Sequence, residues 1–307
     1  MKRSLLLLAL APFAHRRNGG GLSDVRGFER LALAVAVTVG VGTGLAWSSD
    51  ASTPPGPSPA DLEIERFLLE GKVIDEKEIP VGITHPLKLT LQLDGKTMVA
   101  AFKTIDSMHV GKTDFPDGSH EMNFVDSYEN DRAAYLLDRQ LGLNMIPVVV
   151  LRKYKGRSGA MVAWVNDAFD ERERREKNLK PDDYRVLSRQ QDQMKIFETL
   201  LLNVDLNQTN MLYTEDWKLH LIDHSRAFRS WKSVTDTFLQ NQITLTRELL
   251  ANLEALEEQQ VRELLKGLVP KAKVKALMGR RDIIVEKIAA DREKFGDWVV
   301  FPDELEE

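Results

Sequence analysis

The chain has 307 residues, of which 43% are hydrophobic and 29% charged, and its formal net charge is −5. This composition excludes a disordered chain and suits one large globular domain or two smaller lobes. The complete lack of cysteine excludes disulfide scaffolds, thiolate zinc sites and cysteine nucleophiles. The excess of acidic over basic side chains argues against a nucleic-acid partner.

The first 50 residues combine a basic leader with an apolar run. Residues 1–47 contain six lysines or arginines against two acidic side chains, and residues 31–47 carry no charge. This pattern predicts a signal peptide or a short membrane anchor, with a buried core helix as the alternative. Because the positive charges precede the run, we expect the rest of the chain to be extracytoplasmic, either membrane-anchored or periplasmic or secreted. Residues 51–60, with four prolines, indicate an extended linker.

The next hundred residues have a mostly β pattern with one long helix. Residues 87–93 alternate leucine with other residues, which is the period of a half-buried strand, and Asp94-Gly95 predicts a hairpin. Residues 106–125 are predicted to form a loop. The other expected elements are a helix at 61–69, strands at 73–79 and 98–105, a helix at 127–141, and strands at 147–151 and 160–165.

The remainder is mostly helical by pattern. The charged run at 171–177 predicts a solvated helix face or a loop. A long helix is expected at 182–202, a short hairpin from strands at 211–213 and 219–222, and helical structure throughout 234–295. This order predicts an α+β fold of the two-lobed, protein-kinase-like kind, with a β-rich N-lobe and a helical C-lobe. The expected domains are the leader with its apolar run at 1–50, the linker at 51–60, the N-lobe at 61–166 and the C-lobe at 167–307.

Phosphoryl transfer needs a cation on the nucleotide phosphates, an acid that braces it, oxygen ligands for a metal, and a carboxylate that orients the incoming hydroxyl. Lys103 follows an apolar stretch of a predicted strand, and a lysine is costly to bury there unless it is paired. It is either the phosphate-binding cation or a solubility lysine on an edge strand.

The acid that braces this lysine is expected on the following helix, where Glu129 and Asp131 are the candidates. Asp131 shares a helix face with inward-facing residues three and four positions later, and we therefore prefer it. The alternative is that these acids only face the positive end of the helix dipole.

The strongest signal comes from two polar segments of the second half. Asp205 and Asn210 lie five residues apart, and Asp223 follows a predicted strand thirteen residues later. Such a loop would place Asp205 at the substrate hydroxyl and Asn210 toward the metal, and the hairpin would bring Asp223 beside Asn210. Carboxylate and amide oxygens are ligands suited to Mg²⁺ or Mn²⁺. The alternative is that Asp and Asn merely fill turns here.

These segments resemble the atypical kinase superfamily that includes phosphatidylinositol 3/4-kinases, HipA toxin kinases and the secretory-pathway Golgi casein kinases. The sequence IDHSRAF at residues 222–228 is similar to the I/L-D-x-G-R-x-F ending of the secretory kinases. Residues 133–147 and 280–285 resemble passages of an uncharacterised bacterial branch. The resemblance spans about residues 65–295.

The resemblance implies a metal-dependent phosphotransferase that uses ATP with Mg²⁺ or Mn²⁺ and a hydroxyl acceptor on a protein, lipid or sugar. Lys103 would contact the phosphates, and Asp131 would brace it. Asp205 would be the catalytic carboxylate. Asn210 and Asp223 would bind the metal.

Three features of the sequence depart from the family pattern and argue against an active kinase. Ser225 replaces the usual glycine, and no histidine or arginine flanks Asp205. The expected phosphate-covering loop has only Gly82, whose backbone together with the Thr84 hydroxyl would contact the phosphates. The second hypothesis is therefore a pseudokinase-like scaffold, tethered at the membrane, that binds a nucleotide or a partner.

Overall fold

The computed structural model describes residues 56–80, 86–115, 118 and 120–302. The predicted leader and apolar run, the first half of the predicted linker, and the proposed phosphate contacts at Gly82 and Thr84 lie outside these residues. No helix in the described part is both long and apolar enough to span a membrane. Tethering through residues 31–47 therefore stays a prediction.

The first part of the described chain is built around a five-stranded antiparallel sheet in the order β1-β2-β3-β7-β6. The alternating leucines of β2 make its inward face, with Leu89 and Leu91 fully buried. Helices α1 and α2 pack against the sheet. The element bounds are α1 Pro59–Glu70, β1 Lys72–Glu78, β2 Leu87–Leu93, β3 Lys96–Lys103, α2 Tyr128–Gln140, β6 Val149–Tyr154 and β7 Arg157–Ala163.

A separate hairpin joins this sheet to α2, and here the predicted loop at 106–125 is wrong. Strands β4 (Asp106–Asp114) and β5 (His120–Ser127) pair antiparallel. Their apolar residues Met108, Val110 and Met122 are exposed. Because the two-stranded ribbon packs little of either face on the core, its sequence lacks the alternation by which a strand is recognised.

The second part of the described chain is mostly helical, with a small sheet in the order β10-β9-β8. Its longest helices, α4 and α8, pack against each other. The strands are β8 Phe169–Asp170, β9 Met211–Tyr213 and β10 Leu219–Leu221. The helices are α3 Glu171–Glu176, α4 Tyr184–Leu201, α5 Asp236–Gln240, α6 Arg247–Ala255, α7 Glu258–Leu264, α8 Lys271–Phe295 and α9 Asp297–Val300.

Two expectations for this part need correction. The stretch 234–295 is not continuously helical, because the side chains of Thr235 and Thr246 cap new helices and α8 begins after Pro270. The charged run at 171–177 is helical but not wholly solvated. Glu171 is 1% exposed and accepts hydrogen bonds from Arg174 and Arg175. The α+β architecture predicted from the element order, with a β-rich first part and a helical second part, is the observed one.

Candidate active site

Lys103, the last residue of β3, lies between two carboxylates. Its Nζ donates to Asp131 Oδ2 at 2.7 Å and to Asp223 Oδ1 at 2.6 Å. Only 11% of the lysine side chain is exposed. Burial by itself lowers the pKa of Lys103, but the charges of Asp131 and Asp223 outweigh it, and the net shift is upward. The lysine is thus a fixed positive charge in the interior and not a solubility residue.

Asp131 holds the lysine from the first turn of α2. The Ser127 side chain accepts a hydrogen bond from Glu129 N and so caps this helix. Asp131 is 3% exposed, and its second oxygen, Oδ1, accepts the backbone N–H of His224 at 2.8 Å. Of the two acids considered from the sequence, Asp131 makes the contact with Lys103. Burial and nearby Asp106 raise the pKa of Glu129.

Asp223 lies two residues after the end of β10 and has a left-handed backbone, with φ of 66°. Short polar residues such as Asp tolerate this conformation better than most non-glycine residues. Ser225 Oγ donates to Asp223 Oδ1 at 3.2 Å, so the residue at the position where the resembled kinases have glycine contacts this carboxylate. Although burial opposes it, the positive charge of Lys103 lowers the pKa of Asp223. Asp223 is therefore ionised and able to act as an oxygen ligand.

The loop that carries Asp205 and Asn210 ends in a single turn of 3-10 helix, Gln208–Asn210. Asn210 Nδ2 donates to the backbone oxygen of Asp205 at 3.3 Å, which closes the loop. The backbone N–H of Ile222 donates to Asn210 O at 3.0 Å and places Asn210 next to the residue before Asp223. The structure therefore ties the two predicted segments together at this point.

The Asp205 carboxylate forms an ion pair with an arginine. Its Oδ1 lies 3.4 Å from Arg226 Nη1, and its side chain is 44% exposed. Burial raises the pKa of Asp205, and the positive charge of Arg226 opposes that shift. The carboxylate is accessible and oriented by a neighbouring cation, as a group that receives a hydroxyl hydrogen bond needs to be.

Several side chains that sequence reasoning missed support these residues. His224 Nε2 contacts Glu198 Oε1 at 2.8 Å, and both side chains are buried. Asn130 Nδ2 donates to Ser225 O at 2.7 Å and ties α2 to the turn after Asp223. Their partners lie 26 and 95 residues away along the chain, so no local pattern revealed these contacts.

Glu121 was also missed, because it lies in the segment predicted to be a loop. It binds Arg226 through Oε2 at 2.6 Å and Arg229 through Oε1. Through these two ion pairs the β4–β5 hairpin contacts the chain that follows Asp223.

The chemistry of the donor set fits a hard divalent cation. Asn210 uses its Nδ2 toward Asp205 O, and within the described residues Asp126 Oδ1 is buried without a hydrogen-bond partner. Burial first, and the neighbouring Asp223 carboxylate next, raise the pKa of Asp126. No group of three or more His, Cys, Asp or Glu side chains in this part of the chain is arranged to hold a metal by itself. Mg²⁺ does not require such a group, because it is commonly bound by one or two carboxylates together with substrate phosphates and water.

Comparisons with known proteins show the fold. No protein-family model and no curated protein sequence matches the chain. A crystal structure of the Golgi casein kinase matches with 14% identity and a TM-score of 0.59, over 78% of this chain and 77% of that one. The same kinase with Mn and ADP bound matches with 14% identity and a TM-score of 0.57, over 78% of each chain.

The structure of hydra Fam20 with sugar matches with 13% identity and a TM-score of 0.59, over 80% of this chain and 93% of that one. At these identities the likeness concerns the fold alone. The chain therefore has the atypical, Fam20-like kinase fold that its sequence motifs indicated.

Proposed function

We propose that the chain is a metal-dependent phosphotransferase that uses ATP and an alcohol acceptor, in other words an atypical kinase. The observation that carries the proposal is the buried ammonium of Lys103, held by Asp131 at 2.7 Å and by Asp223 at 2.6 Å. An ammonium fixed between two acids from distant parts of the chain is the arrangement that cradles nucleotide phosphates in kinases. The atypical kinase fold, matched by a kinase solved with Mn and ADP, supports the same conclusion.

Lys103 supplies the positive charge for the triphosphate. Asp131 fixes the position of the ammonium, because its other oxygen is held by the His224 N–H. The lysine therefore needs little rearrangement to stabilise charge that develops on the phosphates. Gly82 and Thr84, which lie outside the described residues, remain predicted contacts of the phosphates.

Asp223 and Asn210 would hold Mg²⁺ or Mn²⁺, with Asp126 as a third oxygen donor close to Asp223. When bound, such a metal neutralises negative charge on the nucleotide phosphates. Ser225 keeps Asp223 oriented through its 3.2 Å hydrogen bond. The pKa of Asp223 is lowered by Lys103, which keeps the carboxylate in the form that binds a cation.

Asp205 would orient the acceptor hydroxyl. In the transfer, the hydroxyl oxygen forms a bond to the γ-phosphorus, and the bond from that phosphorus to the β–γ bridging oxygen breaks. ADP leaves, and Asp205 accepts the hydroxyl proton through its carboxylate. The acceptor belongs to a protein, lipid or sugar, and we place the reaction outside the cytoplasmic membrane on the pattern of residues 1–50.

The test is turnover of ATP by the full chain with Mn²⁺ or Mg²⁺, measured as transfer or slow hydrolysis of labelled γ-phosphate. Asp223→Asn should lower the rate at least ~100-fold, since one group that stabilises the transition state is worth about that much. Asp182→Asn, at an exposed position before α4, is the matched control and should leave the rate unchanged.

Full activity of Asp223→Asn would end the proposal. If the wild type neither turns over ATP nor is stabilised by nucleotide and metal, the pseudokinase-like scaffold takes its place.

A further inference from the structure

A cavity of about 280 Å³ lies next to Asp205, apart from the contacts of Lys103. Arg226, which pairs with Asp205, forms part of its wall, and so does Val204. The β4–β5 hairpin forms one side, and the chain after Asp223 together with α8 forms the other. The cavity therefore borders the position proposed for the acceptor hydroxyl.

Among the described residues that line this cavity are three cations and one carboxylate: Arg226, Arg229, Lys273 and Glu121. Arg229 is 6% exposed and contacts Glu121, but its Nε and Nη2 have no hydrogen-bond partner among the residues that the structure describes. In the same part of the chain, Arg226 Nε is buried without a partner as well. Buried N–H groups of guanidinium cost free energy when they are left unpaired.

Lys273, on the first turn of α8, adds to this excess of positive charge. Burial and the neighbouring Arg229 both lower its pKa. Burial, and after it repulsion by Arg226, lowers the pKa of Arg229 even though Glu121 opposes the shift. A ligand with negative charge would relieve this repulsion and satisfy the open donors.

A buried arginine fixes the backbone that forms one wall of the cavity. Arg280, on α8, is fully buried and donates to the backbone oxygens of Leu200 at 2.9 Å, Arg229 at 3.1 Å and Trp231. These bonds fix the segment that carries Arg229. The cationic cluster is thus a preorganised part of the fold.

We infer that this cavity binds the phosphate group of a small phosphorylated alcohol, so that the hydroxyl oriented by Asp205 belongs to a molecule that is already a phosphate monoester. The inference rests on the proposed kinase function and names the acceptor class. Donors from three cations suit a tetrahedral dianion better than a planar carboxylate. A volume of about 280 Å³ lies at the small end of ligand pockets, roughly 300–1,000 Å³, and fits a small molecule.

The experiment is isothermal titration calorimetry of the full chain with glucose 6-phosphate, in EDTA to exclude metal-bound states, with glucose as the neutral control. Wild type should bind glucose 6-phosphate but not glucose, and inorganic phosphate should compete. Lys273→Gln should weaken binding at least ~10-fold, the size expected for one charge-assisted hydrogen bond. Lys275→Gln, exposed on the same helix, should bind like wild type.

Two further variants locate the anion. Arg229→Gln should also lose binding, whereas Lys103→Met should retain it, because Lys103 lies outside the cavity lining. The inference is overturned if Lys273→Gln binds as tightly as Lys275→Gln, or if binding depends on Lys103 and not on Lys273. A different result is also informative. If the chain binds glucose 6-phosphate through Lys273 but does not bind ADP with Mn²⁺, the kinase function is refuted and the phosphate site is supported.

Discussion

At the scale of single residues, charge pairing explains where each candidate group lies. Lys103 is buried only because Asp131 and Asp223 neutralise it. Asp205 differs from these acids, since it remains 44% exposed and its carboxylate lies 3.4 Å from Arg226 Nη1. Two acids are thus held by a cation, whereas Asp205 is accessible to a substrate.

A pH profile tests the pairing of Asp205 and Arg226. Burial raises the pKa of Asp205 and Arg226 holds it down, so Arg226→Gln should raise it further. An acid with a raised pKa becomes protonated earlier as pH falls. We therefore expect the acid limb of kcat/KM for ATP turnover to lie at higher pH in Arg226→Gln than in wild type. The exposed Arg157→Gln is the control, and an acid limb that does not move in Arg226→Gln contradicts the role.

At the scale of elements, long-range hydrogen bonds hold the site together. Asn130 on α2 binds the turn after Asp223, and Ser127 N donates to Ser225 O at 3.0 Å. The start of α2 is therefore attached to the polar segment of the helical region. The Arg280 side chain does the same for α8 and the chain at residues 229–231.

Removing the Arg280 contacts should destabilise the protein. Arg280 is a buried cation, and burial lowers its pKa to about 10. Its replacement by Met removes this buried charge. It also leaves three carbonyl oxygens without a donor, each worth about 1–3 kcal/mol. Because removal of the buried charge offsets part of this cost, we expect Arg280→Met to lower the free energy of unfolding by about 2–4 kcal/mol in urea titrations followed by circular dichroism. A loss no larger than that of the exposed Lys275→Met would show that these bonds contribute little.

At the scale of the whole molecule, the site lies where the five-stranded sheet meets the helical region. Lys103 ends β3 of the sheet, and Asp223 follows β10 of the other region. Their 2.6 Å contact joins residues 120 positions apart in the chain. A nucleotide bound at this point would contact both parts of the fold.

Ligand binding should therefore raise the melting temperature of the full chain. A ligand at about 100 times its dissociation constant adds about 2.7 kcal/mol to the stability of the folded state. For a domain of this size that corresponds to a rise of roughly 5–10 °C with ADP and Mn²⁺. Lys103→Met should show no such rise in the same thermal-shift assay, while Asp182→Asn should match wild type. A rise of equal size in Lys103→Met would place the nucleotide elsewhere.

Local patterns predicted a large part of this fold. Strand β2 coincides with the predicted residues 87–93, and α2 lies within one residue of its prediction at each end. Both have one buried face, which leaves a clear period in the sequence. The β4–β5 hairpin has exposed apolar residues and leaves no clear period, so its strands were not predicted from the sequence. Asp126 and Glu121 were missed with it as candidate site residues.

The amino-acid sequence alone limited the candidates for the proposed chemistry, because a lysine in an apolar strand and acids after short strands are few. It also predicted the order of those strands and helices that bury one face, since burial of one face sets the period. The packing of the folded chain was needed to show that Asp131 and not Glu129 contacts Lys103, that Arg226 contacts Asp205, and that Arg229 and Lys273 line one cavity. These contacts join residues far apart in the chain, and their geometry depends on how elements pack, which no local pattern records.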